Sequence, residues 1–305
     1  MQNEDEKHPA ISGFHPDNPH VGPYDFDQLA SAFPKLNSHL IEKPDGSGRW
    51  IRFSDPTAVR LLNRAILEND YGISDWELPE PYLCPTIPGR IDYLFHLRSL
   101  IGKNVPEVTL LDIGTGASGI YALLAASHFK WRVIACDASP PSLQCLRTTL
   151  LRNPQIASRI VIRVQADPAR ILQGVLHNDD QITATVCNPP FYDSPESAAR
   201  AHHHKHRTHL RRNLPSHPRF RSTGGWIHEL CYPEGEVGFV QQLLHESAVH
   251  ASRVHWFTTL LSRASSVTQL KPMLEKLNPA EVRILPMQHG NKQSRILAWR
   301  FNTCS

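Results

Sequence analysis

Two turn motifs, each directly behind an apolar run, constrain this chain more than anything else in it. Thr109-Leu-Leu-Asp-Ile113 runs into Gly114-Thr-Gly-Ala-Ser118, and Thr183-Ala-Thr-Val-Cys187 runs into Asn188-Pro-Pro-Phe191. Short apolar runs bounded by turn residues read as buried strands. A strand cannot continue through Pro189 and Pro190, which lack the ladder N–H, so the chain must turn after Cys187. The glycines of the first motif allow close backbone approach to a ligand. Open parallel sheets bind ligands beyond the carboxyl ends of their strands, where both motifs fall.

From Val108 onward, strand and helix patterns alternate. Strands are expected at 109–113, 131–137, 160–164, 183–187 and 254–261. Helices are expected at 119–129, 139–152, 236–251 and 267–277, and a closing hairpin at 281–287 and 294–301. Strands separated by helices imply a doubly wound, mostly parallel α/β sheet with an antiparallel end. The opening third differs. Residues 1–25 read as an extended arm. A helix is expected at 26–33 with Asp25 as N-cap, a short strand at 50–53, a helix from Pro56, a proline-rich connection at 79–88 and a helix at 91–100. The expected division is 1–105, an N-terminal arm and helical extension, and 106–305, a Rossmann-like domain.

No apolar run has the length of a membrane span, and the N-terminus lacks a signal-peptide core. The six cysteines are scattered with no Cys-x-x-Cys, which suits reduced thiols in the cytoplasm. Net charge is only +3, yet its distribution is uneven. Between Glu196 and Glu229 there is no acidic residue, while Arg200, Lys205, Arg207, Arg211 and Arg212 fall there with two further arginines and seven histidines. That footprint, centred on a loop at 194–222, suits a phosphate backbone. The run His202–His206 has no neighbouring cysteine or carboxylate, so no metal is expected.

The spacing Gly114, Gly116, Gly119, with Asp137 ending the next strand, suits a ligand carrying a ribose. NAD and S-adenosylmethionine both qualify. Asn188-Pro-Pro-Phe decides between them. The Asn188 amide and the Pro189 carbonyl can accept hydrogen bonds from an exocyclic amine, and Phe191 can stack on an acceptor ring. That chemistry belongs to an amino-methyltransferase acting on a nucleobase or an amide, working by orientation and electrostatics.

The chain resembles the bacterial 23S ribosomal RNA (adenine-1618-N6)-methyltransferase family, whose eukaryotic relatives methylate U6 small nuclear RNA and messenger-RNA hairpins. The resemblance runs through Asp55-Pro-x-Ala-Val59, Leu83-Cys-Pro-Thr-Ile-Pro-Gly-Arg90, Asp112-Ile-Gly-Thr-Gly-Ala-Ser118, Cys187-Asn-Pro-Pro-Phe191, Thr223-Gly-Gly225, Gly235-Glu-Val237, Trp256-Phe-Thr258 and Lys292-Gln-Ser-Arg295. It implies a class I methyltransferase with a seven-stranded sheet, acting on large-subunit ribosomal RNA; the chain is expected to be a monomer. It implies that Arg90, Asp112, Gly114, Thr115, Gly116, Ser118, Asp137 and Asn188 surround S-adenosylmethionine, with Arg90 on its carboxylate. It further implies that Asn188, Pro189, Pro190 and Phe191 hold the target adenine, and that the 194–222 loop closes over the RNA. The family's arm reads His-Pro-Arg-Asn-Arg; here it is His15-Pro-Asp-Asn-Pro19, which removes two phosphate partners.

Overall fold

A computed structural model describes residues 13–198, 200, 227–289 and 292–302. Its centre is a seven-stranded sheet. The strands are β3 (Thr109–Ile113), β4 (Arg132–Asp137), β5 (Ile160–Val164), β6 (Ile182–Cys187), β7 (Val254–Leu261), β8 (Glu281–His289) and β9 (Lys292–Arg300), after a separate two-stranded pair, β1 (Leu40–Glu42) and β2 (Arg49–Ile51). The order across the large sheet is β5-β4-β3-β6-β7-β9-β8. The first five of these pair in parallel, and β9 joins β7 and β8 antiparallel. This is the doubly wound, mostly parallel sheet with an antiparallel end that the alternating pattern predicts. The order reverses between β3 and β6, so a crevice opens at their carboxyl ends.

Both faces of the sheet are covered, as a parallel sheet requires. Alternation along β3 sends Leu110 to one apolar cluster and Leu111 and Ile113 to another. The second cluster packs under α6 (Gly235–Val249) and α7 (Ala264–Leu277) through Leu243, Leu244 and Leu270. The first packs under α4 (Ile120–His128) and α5 (Pro140–Leu151). It also takes in Leu36, Ile66, Trp76, Ile91 and Leu94, so residues on both sides of position 105 share one core.

Local signals explain most boundaries. Asp25 accepts the Gln28 N–H at the start of α1 (Phe26–Ala32). In α2 (Pro56–Tyr71), Asp55 caps Thr57 N, Pro56 fills the first position, and Gly72 closes the helix in left-handed conformation. Ser139 and Pro140 start α5 in the same manner. Helix α3 (Ile87–Ile101) begins four residues earlier than its apolar spacing suggests, because Pro88 is tolerated in a first turn; Arg90 is thereby helical. β2 spans 49–51 rather than 50–53. The 3-10 turn Pro34–His39 and strand β1 are too short to carry a periodic signal.

The arm from Gly13 is tied to α3. Asp92, fully buried, accepts the His15 N–H at 2.8 Å and the Asn18 amide at 2.9 Å, and Asn18 also donates to the Pro88 carbonyl. The His15-Pro-x-Asn18 pattern is therefore a docking device, and Asp17 within it pairs with Lys103 at 2.8 Å. Among the described residues, no helix is long and apolar enough to cross a membrane.

Candidate active site

The β3–β6 register sets the geometry. Ile113 is the partner of Cys187, so Gly114 and Asn188, the next residue on each strand, lie level at adjacent strand tips. Neighbouring strands are about 4.8 Å apart. Two motifs 74 residues apart in sequence thus share one crevice.

On the glycine side, Thr115 N donates to the Cys136 carbonyl at 2.9 Å, and Gly116 N donates to Asp137 Oδ2 at 2.9 Å. Asp137 Oδ1 accepts the Ser139 N–H at 2.8 Å. Asp137 therefore shapes the turn as well as ending β4. A Cβ on Gly114 would meet nothing within 4 Å, so its open side is free for a ligand. Gly119 has the opposite role. A Cβ there would fall 2.4 Å from Leu146 Cδ1, so the missing side chain lets α4 close onto α5. Ser118 offers its carbonyl to Trp76 Nε1 at 2.9 Å, which ties the glycine turn to the N-terminal extension.

Asp112 is 1% exposed. Its Oδ2 accepts the Thr115 hydroxyl at 2.6 Å, and its Oδ1 is buried with no hydrogen-bond partner among the described residues. Burial pushes the carboxyl up to about 7, against the opposing pull of Thr115 and the Arg90 charge. Arg90 donates Nη1 to Tyr121 Oη at 2.8 Å, with its guanidinium 5.4 Å from the Tyr121 ring centroid. Arg90 thus lies close enough for its charge to act on Asp112, which Thr115 ties to the glycine turn.

On the proline side, Asn188 Oδ1 is also buried and without a partner among the described residues. Pro189 is buried, and Pro190 and Phe191 are half-buried. Phe191 belongs to neither apolar cluster, so it is not a core phenylalanine. An orphaned buried acceptor costs about 1–3 kcal/mol. Two of them, on Asp112 in β3 and on Asn188 just past β6, lie close to adjacent strand tips. Cys136 and Cys187 beside them are no nucleophiles, since burial pushes both thiols far above neutrality.

Three supports join residues whose pairing no local signal predicts. Tyr93 Oη lies 2.9 Å from Thr258 Oγ1, and Thr258 N donates to Thr185 Oγ1 at 2.7 Å. The first ties β7 to α3, and the second locks β6 to β7 beyond Ala184, where the ladder pairing ends. Residues 230–232 clasp the acceptor turn: Tyr192 N donates to the Leu230 carbonyl and Tyr232 N to the Tyr192 carbonyl, both at 2.9 Å. Just before them, Glu229 Oε1 lies 3.6 Å from where a Gly116 Cβ would project. One segment therefore touches both turns.

Arg200 is described and exposed. Lys205, Arg207, Arg211, Arg212, the histidine run and Thr223–Gly225 lie outside the described residues. Among the described residues, no group of three or more His, Cys, Asp or Glu could hold a metal ion.

A family model described as RNA methyltransferase matches residues 9–303. The chain is 42% identical over 299 residues to the "Ribosomal RNA large subunit methyltransferase F" of Shewanella amazonensis, covering 95% of this chain and 93% of that one. It is 38% identical over 311 residues to the same-named protein of a Psychrobacter species, covering 96% and 94%. Among solved structures, the human Mettl16 catalytic domain in complex with a MAT2A 3′UTR hairpin matches with a TM-score of 0.80 at 27% identity, covering 96% of each chain. The N-terminal domain of human METTL16 in complex with SAH matches with a TM-score of 0.74 at 26% identity, covering 95% and 99%. With the crevice, the sheet order and these matches together, the chain belongs to the RNA methyltransferase family.

Proposed function

We propose that this protein transfers a methyl group from S-adenosylmethionine to the N6 amine of an adenine in large-subunit ribosomal RNA. The observation that carries the reading is the β3–β6 register, with one buried, unpartnered acceptor on β3 at Asp112 and another just past β6 at Asn188. The ribosomal relatives, at 38–42% identity over nearly the whole chain, favour ribosomal RNA over other RNAs.

The residues present fit the donor. Arg90 suits its carboxylate in a bidentate fork. The orphaned Asp112 Oδ1 suits its ammonium, Gly114 leaves room for close approach, and Asp137, at the end of β4, stands where an acidic side chain meets ribose hydroxyls. When bound, the donor supplies a methyl group on a positively charged sulfur that is already a good leaving group. The chain's own residues then have a positioning task. Asn188 Oδ1 and the Pro189 carbonyl accept the two N6 hydrogens, which turns the nitrogen lone pair out of the ring plane and toward the methyl carbon. Phe191 stacks on the base and fixes its plane. An adenine inside a helix cannot reach this crevice, so the target is unstacked, in a loop or bulge. Arg200, Lys205, Arg207, Arg211 and Arg212 contribute phosphate contacts in this reading. No strong base is required, because the amine proton is lost to solvent after transfer.

The test is tritium transfer from labelled donor to ribosomal RNA from cells lacking the gene, with mass-spectrometric mapping of N6-methyladenine. Asn188→Ala should lower transfer at least a hundredfold while S-adenosylhomocysteine affinity stays within about threefold. Near-normal turnover in that variant removes the proposed grip on N6. Label entering protein alone removes the RNA substrate.

A further inference from the structure

At the opposite end of the sheet, away from both turns, lies a second feature. The last turn of α3, the loop into β3, the end of α4 and the start of β4 enclose a hollow of about 460 Å³. Arg98, Lys103, Lys130, Arg132 and Arg159 line it, with Glu107 as the sole carboxylate of the lining. Asp17 at the rim neutralises Lys103. The other four cations are in no ion pair among the described residues.

Two of the four are held in place by backbone carbonyls. Lys130 Nζ donates to the Ser127 carbonyl at 2.6 Å, and Arg159 donates to the Lys130 carbonyl at 2.8 Å. Arg98 and Arg132 make no side-chain hydrogen bond among the described residues and are free to meet a ligand. The floor is firm, since the Phe129 and Trp131 rings stack with centroids 4.7 Å apart. The local potential also shows on His128, whose imidazole is pushed down by burial and by the charges of Arg98 and Lys130. Five cations against one lining carboxylate leave the concavity strongly positive, and a polyanion relieves the repulsion among them. A hard, multiply negative ligand fits better than an apolar one.

We propose that this hollow is a second RNA contact, taking backbone phosphates of the substrate at the end of the sheet remote from methyl transfer. From Val108 to Gly114 is six residues of strand, so the two sites are about 20 Å apart. A structured RNA is large enough to engage both. The contact lies on different elements from the basic 194–222 segment, and it rests on the reading of the substrate as RNA.

The test uses the full chain and a transcript of large-subunit ribosomal RNA, with affinity measured across a series of potassium chloride concentrations. Each phosphate contact contributes about 0.7–0.9 to the slope of log K against log salt. Arg98→Gln combined with Arg132→Gln should therefore flatten the slope by about 1.4–1.8 and weaken binding about five- to twentyfold at moderate salt. The double replacement by lysine should restore most of both. S-adenosylhomocysteine affinity and melting midpoint should not move. If the double variant melts lower, Arg132→Gln alone, at an exposed position, should flatten the slope by about half as much. Wild-type RNA binding with an unchanged slope in the variants overturns the second contact and leaves the proposed function standing. No RNA binding by the wild type overturns both. Displacement of RNA by inorganic phosphate beyond that caused by chloride of equal ionic strength overturns the RNA assignment in favour of a small-anion site.

Discussion

Asp112→Asn separates what the fold wants at this position from what the crevice wants. The wild-type carboxyl is held up to about 7, against an ordinary value of 3.8, mainly because it is buried. Between those two values the folded protein holds one more proton than the unfolded chain, so folding stability falls as pH rises, by about 1.4 kcal/mol per unit. The cost is absent below 3.8 and complete above 7. Across the full shift it amounts to about 4 kcal/mol, and between pH 5 and pH 8 to about 3 kcal/mol. Asparagine has nearly the same shape, can accept the Thr115 hydroxyl, and does not titrate. Urea unfolding of wild type and Asp112→Asn at pH 5 and pH 8 gives a double difference in which every other titrating group cancels. Without ligand, the wild type should lose about 3 kcal/mol more than the variant over that interval. With saturating S-adenosylhomocysteine, whose ammonium meets the ionised carboxylate, the wild-type loss should shrink. Parallel pH profiles for the two proteins without ligand would refute the reasoning, because a carboxyl that ionises freely in the crevice cannot be the orphaned acceptor described above.

Two further substitutions probe the supports. Gly119→Ala places a methyl group against Leu146 at a backbone φ of 55° and should destabilise the fold by about 2–4 kcal/mol by chemical denaturation. Tyr93→Phe removes the hydroxyl that meets Thr258 beneath the acceptor turn. It should cost about 1–2 kcal/mol of stability and lower kcat more than it raises KM for RNA, because it loosens Asn188 rather than removing a substrate contact.

Much of the fold was legible from the residues alone, for a physical reason. Strands β3, β5 and β7 fall where their apolar runs end in turn residues. The caps Asp25, Asp55 and Ser139 act on N–H groups two or three positions away, so the signal and its cause are local. The two turns were legible for the same reason, since Gly114 and Pro189 restrict their own backbone. Among the exceptions are the early start of α3, where Pro88 reads as a breaker but serves as a first-turn residue, and β1, whose three residues pair only because β2 meets them.

What brings the site together was not legible, because it is non-local. Gly114 and Asn188 become neighbours only through the β3–β6 register. Trp76 reaches Ser118 across 42 residues, Tyr93 reaches Thr258 across 165, and Glu229 approaches Gly116 from the far side of the basic segment. The hollow at the sheet's other end gathers five cations from separate stretches of chain, none conspicuous in its own. The charge state of Asp112 is likewise a property of its surroundings. The sequence by itself determined which residues could bind, turn or stack. Only tertiary burial and strand register decided which of them are left without partners, and so available to a ligand.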